Sequence, residues 1–402
     1  MTIRISSAIM AHPRRRDAAE ALRDRYPELE LRVVLDPEPD GPPSALRTSL
    51  LAWGAVGADV THHLVIQDDA VAGDGFPAQL RRAVAAQPDR PIGLFTEWGS
   101  RTANALRIAT VEGASWVEAV DPFVPAFALV LPAWMARGFV SFAAGYTGDA
   151  EADDLALQAY LRGIGAVTYV AVPNLVDHSC IPSLLGHDLM MGPRRSPCVE
   201  VDGDVDGSGR QWAGGAVVDL TAVPHLSTMQ GRSVCCVRPE PDSRDWSTVA
   251  TPDWLAGQGI GRDTYDSGYR SALAGTAAAR DVVSDVLLYE VWLTAFAYGT
   301  VLALRAGRGD GEAWLDHALD RPLARQALPT LVAGGLRRLV PAHRLEEMAG
   351  KLAGLVRTAV RSGFTAGRSA PGAHAEALPA KTAAPVTTAL ATKTALSVDI
   401  GA

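Results

Sequence analysis

The sequence predicts an α/β protein: a mixed sheet flanked by helices, then a mainly helical C-terminal region and a disordered tail. Three observations carry this. Early in the chain, short apolar runs alternate with segments of helical period, the pattern of strands joined by crossover helices. Between Arg270 and Ser362 helical patterns follow one another. From Gly363 to Ala402 the composition falls to Ala, Thr, Pro and Ser with little apolar periodicity, which predicts disorder.

Taken in order, Ile3–Ala11 reads as a strand and Arg14–Arg25 as a helix. Leu31–Leu35 is a strand ending at Asp36, and Pro43–Val56 a helix that Ser44 is able to cap. His63–Gln67 is a strand ending at Asp68 and Asp69, followed by a helix over Pro77–Ala86 and a strand over Ile92–Phe95. Three stretches, Leu106–Val111, Ser115–Val120 and Ala126–Leu131, look like strands without helices between them. Pro132–Phe142 and Glu151–Arg162 read as helices, and Val167–Val172 as the next strand. In residues 200–262, rich in Gly and Asp, the strand candidates are Ala216–Leu220 and Ser233–Arg238. Helices are expected at Arg270–Arg305, with a break near Gly275, and at Gly311–Leu319, Ala324–Leu339 and Leu345–Ser362. The expected divisions are residues 1–195, 196–265, 266–362 and 363–402.

The chain has 402 residues, enough for two domains, and a formal charge of −8. An acidic balance argues against sequence-independent nucleic-acid binding, which needs a basic surface. The start, Met1-Thr2-Ile3-Arg4-Ile5, enters a strand-like run with no signal-peptide pattern. Cys180, Cys198, Cys235 and Cys236 fit neither a zinc site nor a disulfide framework, so a cytoplasmic location is expected. The apolar stretch from Val282 to Ala306 carries Asp285, Glu290 and Arg305, each costing roughly 2.5–3.5 kcal/mol in a membrane span. A buried helix is the better reading, which leaves peripheral membrane contact open.

In open α/β sheets, ligands bind beyond the carboxyl ends of the strands, and polar residues gather there. His12 and Arg14 follow the first strand, Asp36 the second, and Asp68 with Asp69 the third. Adjacent carboxylates at a strand tip suit Mg²⁺ or Mn²⁺, with diphosphate oxygens completing the shell. The alternative is a polar turn in which one of them caps the next helix. Asp36 suits a ribose or a base, or is a plain turn residue before Pro37. The arginines after His12-Pro13 match diphosphate oxygens, Arg14 being closest to the strand tip, unless they form a solvated helix face. Asp149-Ala150-Glu151-Ala152-Asp153-Asp154 opens a helix; the four acids either only complement its dipole, as Asp149 and Glu151 suit, or leave Asp153 or Asp154 as a base or a hydrogen-bond partner of an acceptor. His178, after a late strand, is a metal or phosphate ligand or a structural histidine. Gly192-Pro193-Arg194-Arg195-Ser196 is expected to fold over a diphosphate as a basic lid.

As an ordered set, Ala11-His12-Pro13-Arg14, Asp36, Gln67-Asp68-Asp69, Asp153-Asp154 and Val176-Asp177-His178 resemble the GT-A, family-2-like glycosyltransferases across residues 1–190. The resemblance implies a Rossmann-like GT-A sheet, a nucleotide-sugar donor, a divalent cation and transfer to a small molecule, peptide or glycan. It implies that Asp69 and His178 hold the metal, that His12, Arg14, Asp36 and Asp68 bind the nucleotide, and that Asp153 or Asp154 is the base of an inverting member. The first acid of the family's Asp-x-Asp is replaced by Gln67.

A nucleotidyltransferase is the nearest alternative, but His12-Pro13-Arg14 lacks the glycine of a phosphate loop. A non-catalytic scaffold derived from a transferase is the third class. The C-terminal helices are expected to shape an acceptor pocket, dock a carrier or form a homodimer.

Overall fold

The computed structural model describes residues 2–147, 152–179, 181–182, 184, 191–199, 215–240, 243–274, 281–307 and 311–370. Asp149, Glu151, Cys180 and most of the expected tail lie outside the described residues.

β1 (Ile5–Ala11) runs into a 3-10 turn over Pro13–Arg15 and then α1 (Arg16–Arg25). Pro13 suits the first position of that turn, where no N–H is needed. β2 (Arg32–Leu35) leads to α2 (Ala45–Gly54), whose N-cap Ser44 accepts the Arg47 N–H at 3.2 Å. β3 (His62–Gln67), β4 (Ala70–Val71), α3 (Phe76–Ala86) and β5 (Ile92–Gly93) follow.

The next element corrects the sequence reading. Leu106–Val111, expected as a strand, lies inside α4 (Arg101–Glu112). Ser100 caps its start, accepting the Ala103 N–H, and Gly113 ends it in the left-handed region at φ +74°. That bracket is a helix signature, but the helix is buried on all sides, so its apolar run shows no helical stripe. Next come β6 (Trp116–Glu118), β7 (Ala128–Pro132), α5 (Ala133–Ala143), α6 (Asp153–Gly163), β8 (Tyr169–Ala171) and β9 (Asp177–His178).

β10 (Val217–Val218) precedes a small sheet of β11 (Ala222–Ser227), β12 (Arg232–Val237) and β13 (Ser247–Ala250). The helical part comprises α7 (Thr251–Gly257), α8 (Arg262–Ala274), α9 (Asp285–Arg305), α10 (Glu312–Asp320), α11 (Pro322–Ala327), α12 (Thr330–Leu336) and α13 (Leu345–Ser369). The span expected as one broken helix over Arg270–Arg305 is thus α8 and α9, and α8 begins earlier. Residues 363–369, expected in the tail, are helical. Phe364 continues the buried stripe of Val356 and Val360, and a Cβ on Gly363 would lie 1.8 Å from the Phe296 carbonyl oxygen. Close contact with α9 orders this turn.

The main sheet has eight strands in the order β10-β6-β8-β5-β7-β3-β1-β2. β2, β1 and β3 are parallel; β7 runs against both β3 and β5; β5 and β8 are parallel; β6 opposes β8 and pairs parallel with β10. On one face α1 and α3 bury Leu22, Phe76 and Leu80 against Ile9, Leu64 and Val130. On the other, α2, α5 and α6 cover β1, β3 and β7, while α4 and the C-terminal helices cover β6, β8 and β10. Residues on both sides of positions 195 and 265 contribute to that last core. α9 is long and apolar enough to cross a membrane by length and composition, and 78% of its apolar window is buried in the fold.

Polar contacts stitch the C-terminal helices to α4. Arg107, fully buried, donates from Nη2 to the Trp98 carbonyl at 2.6 Å, from Nη1 to Asn104 Oδ1 at 3.1 Å and from Nε to Thr330 Oγ1 at 3.2 Å. Arg305 holds both carboxylate oxygens of Glu112.

Candidate functional site

Parallel pairing of β1, β2 and β3 brings their carboxyl ends to one rim. The Asp36 N–H bonds the Ala11 carbonyl at 2.9 Å, and the His12 N–H reaches Asp68 Oδ2 at 3.4 Å. The expected residues Asp36, His12, Asp68 and Asp69 therefore share this edge. His62 and His63, just upstream, are structural. Their Nε2 atoms bond the Pro88 and Ala52 carbonyls, and burial lowers both pKa values.

A second, two-stranded sheet completes the arrangement. β4 pairs antiparallel with β9, setting Ala70 opposite His178, and the Ser179 N–H bonds the Asp69 carbonyl. His178 is thereby delivered to the acid pair, with Nε2 3.4 Å from Asp69 Oδ2. Its ring stacks on Phe127 at a centroid distance of 4.9 Å. Burial lowers the His178 pKa, with the Asp69 charge opposing and the Arg194 charge assisting.

Two arginines reach this cluster. Arg15 Nη1 lies 3.1 Å from Asp68 Oδ1 and 3.0 Å from Asp69 Oδ2, and Nη2 bonds the Pro182 carbonyl. The sequence reading had favoured Arg14. The Pro13 turn spends the Arg14 N–H on His12 Nδ1, leaves that residue exposed and turns Arg15 inward. Arg194, from the expected basic lid, places Nη2 3.1 Å from His178 Nε2. A guanidinium only donates, so Nε2 is the unprotonated nitrogen. Burial and the Asp69 charge raise the Asp68 pKa, against the pull of Arg15.

Asp36 is held by Arg47, Nε at 2.8 Å from Oδ1 and Nη2 at 2.9 Å from Oδ2. This hydrogen-bonded pairing lowers its pKa. The sequence reading missed Arg47, although it stands in the first turn of a helix that Ser44 caps. Asp153 and Asp154 open α6, a separate element. Asp153 is buried beside Ser49 of α2, and burial raises its pKa to about 6, followed by the Asp154 charge. Asp154 is half-buried, its Oδ1 accepting the Leu155 N–H and its carbonyl the Val124 N–H.

A divalent cation passes a simple chemical test here. Among the described residues Asp69 Oδ1 is buried with no hydrogen-bond partner, and His178 Nε2 lies nearby with its lone pair met by Arg194, a contact an ion would displace. Cis donors of an octahedral ion with bonds near 2.1 Å stand about 3 Å apart, close to the Asp69–His178 spacing. Among the described residues no group of three or more His, Cys, Asp or Glu side chains is arranged to hold a metal. An ion held by this pair would have to take its other ligands from a bound molecule or water.

No protein-family model matches the chain, and no curated protein matches it in sequence.

Proposed function

We propose that the chain is a glycosyltransferase of GT-A type, moving a sugar from a nucleotide-diphosphate sugar to a small-molecule, peptide or glycan acceptor. The observation that carries this reading is the convergence on Asp69 of Asp68, Arg15 and His178, with Arg194 behind His178.

Asp69 and His178 would hold Mn²⁺ or Mg²⁺, which when bound neutralises charge on the departing diphosphate. The remaining work falls to the chain itself. Arg15 and Arg194 carry planar donor forks suited to phosphate oxygens. Asp36, fixed by Arg47, presents a carboxylate beside His12 for the ribose or base. Of the two acids opening α6, Asp153 is better suited as base. Its carboxyl, buried beside Ser49 and raised to about 6, would still ionise at neutral pH, as a base requires.

The test is release of nucleoside diphosphate from a panel of nucleotide-sugars with Mn²⁺. Turnover of one donor that drops on Asp153→Asn, with donor affinity retained, supports the proposal. A complete absence of turnover and of donor binding overturns it.

A further inference from the structure

The segment carrying Arg194 is tied on one side to Asn174 and Asp177, which meet Ser196 and Cys198, and on the other to the C-terminal helices and the loop they hold. The Trp98 backbone N–H bonds the Arg195 carbonyl at 2.7 Å, and Trp98 Nε1 donates to the Pro193 carbonyl at 2.8 Å, so one residue brackets the Arg194 backbone. Trp98 is itself pinned by α12: a Cβ on Gly334 would fall 2.1 Å from the Trp98 carbonyl oxygen. Gly192, at φ +64°, lies so close to Arg337 that a Cβ there would meet the Arg337 carbonyl oxygen at 2.4 Å. Arg195 Nε stands 3.6 Å from Glu346 at the start of α13.

Arg337, just past α12, is the unusual member of this junction. Its side chain is 1% exposed and its Nη2 pairs with Glu97 Oε1 at 2.5 Å, while Nε and Nη1 are buried without a hydrogen-bond partner among the described residues. A buried guanidinium with two idle nitrogens is a poor way to fill space, because an apolar side chain of similar size avoids its desolvation. It does fix one geometry: its guanidinium locks Glu97 and lies against Gly99, while the Arg337 backbone carbonyl backs Gly192.

We infer that Arg337 is a positioning residue for Arg194, and that the α12–α13 junction is part of the donor site. This rests on the proposed transferase reading, in which Arg194 meets the diphosphate. Arg337 sets the Glu97–Gly99 loop, Trp98 sets the 193–195 backbone, and that backbone aims Arg194 at His178.

The experiment titrates the full chain with inorganic pyrophosphate in Mn²⁺, and with Mn²⁺ alone. Wild type, Arg337→Met, Arg337→Lys, Arg194→Ala and the Arg194→Ala/Arg337→Met double variant are compared. Arg337→Met is expected to weaken pyrophosphate about 10-fold, one lost charge-assisted contact, with Mn²⁺ binding unchanged and partial recovery in Arg337→Lys. The double variant is expected to bind no more weakly than Arg194→Ala, since Arg337 acts through Arg194. Additive losses, or unchanged pyrophosphate affinity in Arg337→Met, overturn the inference while leaving the donor site standing. Should Arg337→Met not fold, Glu97→Gln breaks the Arg337–Glu97 ion pair from the other side and is read in the same way. If wild type binds neither probe, the donor-site reading fails and the inference falls with it.

Discussion

Nε2 of His178 lies 3.4 Å from Oδ2 of Asp69, brought there by one antiparallel pairing between β4 and β9. The two residues are far apart in sequence, and each alone is unremarkable as a ligand. Placed together, with Asp69 Oδ1 unpartnered among the described residues, they are a candidate site whose chemistry is open to test.

Arg15 should matter to the fold as well as to the ligand, because its guanidinium neutralises two buried carboxylates. Arg15→Gln is expected to lower stability at pH 7.5 by roughly 1–3 kcal/mol, the range for losing charge-assisted hydrogen bonds. Arg14→Gln, at an exposed position, should change it by less than about 0.5 kcal/mol. Urea denaturation of both variants checks the assignment; equal effects would reverse the choice of Arg15 over Arg14.

Asp153 makes stability depend on pH. Its folded pKa of about 6 lies above the ordinary 3.8, so the native state keeps a proton that the unfolded chain releases. Stability from this group is therefore full below pH ~4, falls as pH rises toward ~6 and stays lost above that. Asp153→Asn should be more stable than wild type at pH 8 by up to roughly 3 kcal/mol, with the gain gone at acid pH. Thermal melts across pH 4–8 measure this; a gain independent of pH would mean the carboxyl is not perturbed.

Arg107 is the polar anchor between α4 and the C-terminal helices. Arg107→Met keeps much of the volume but leaves the Trp98 carbonyl and Thr330 Oγ1 without this donor, and Asn104 Oδ1 with the Tyr298 hydroxyl in its place. A loss of about 2–4 kcal/mol is expected from buried acceptors left unpaired. A drop in the urea midpoint without a change in the slope would locate the effect in native stability. A loss below about 1 kcal/mol would show that the junction does not depend on this network.

Much of the rim was legible in the sequence because strand tips follow from apolar runs: Asp36 ends one, and Asp68 with Asp69 ends another. The Ser44 cap of α2 was legible for the same local reason. What escaped was set by tertiary contact. α4 is covered on every side, so Leu106–Val111 gave no helical stripe, and only Ser100 and Gly113 marked its ends. β11 carries Pro224 and β13 is polar, as edge strands tolerate, so neither shows the expected alternation. The choice of Arg15 over Arg14 follows from the Pro13 turn, and the meeting of Arg194 with His178 from the grip of Trp98. Neither leaves a periodic signal.

The most direct test of the central claim is calorimetric titration of the protein with a panel of nucleoside diphosphates, with Mn²⁺ and with chelator, beside Asp69→Ala. The account predicts that one nucleotide binds only with metal and that Asp69→Ala abolishes this binding while the variant stays folded. Metal-independent binding that survives Asp69→Ala, or no nucleotide binding by folded wild type, would contradict it.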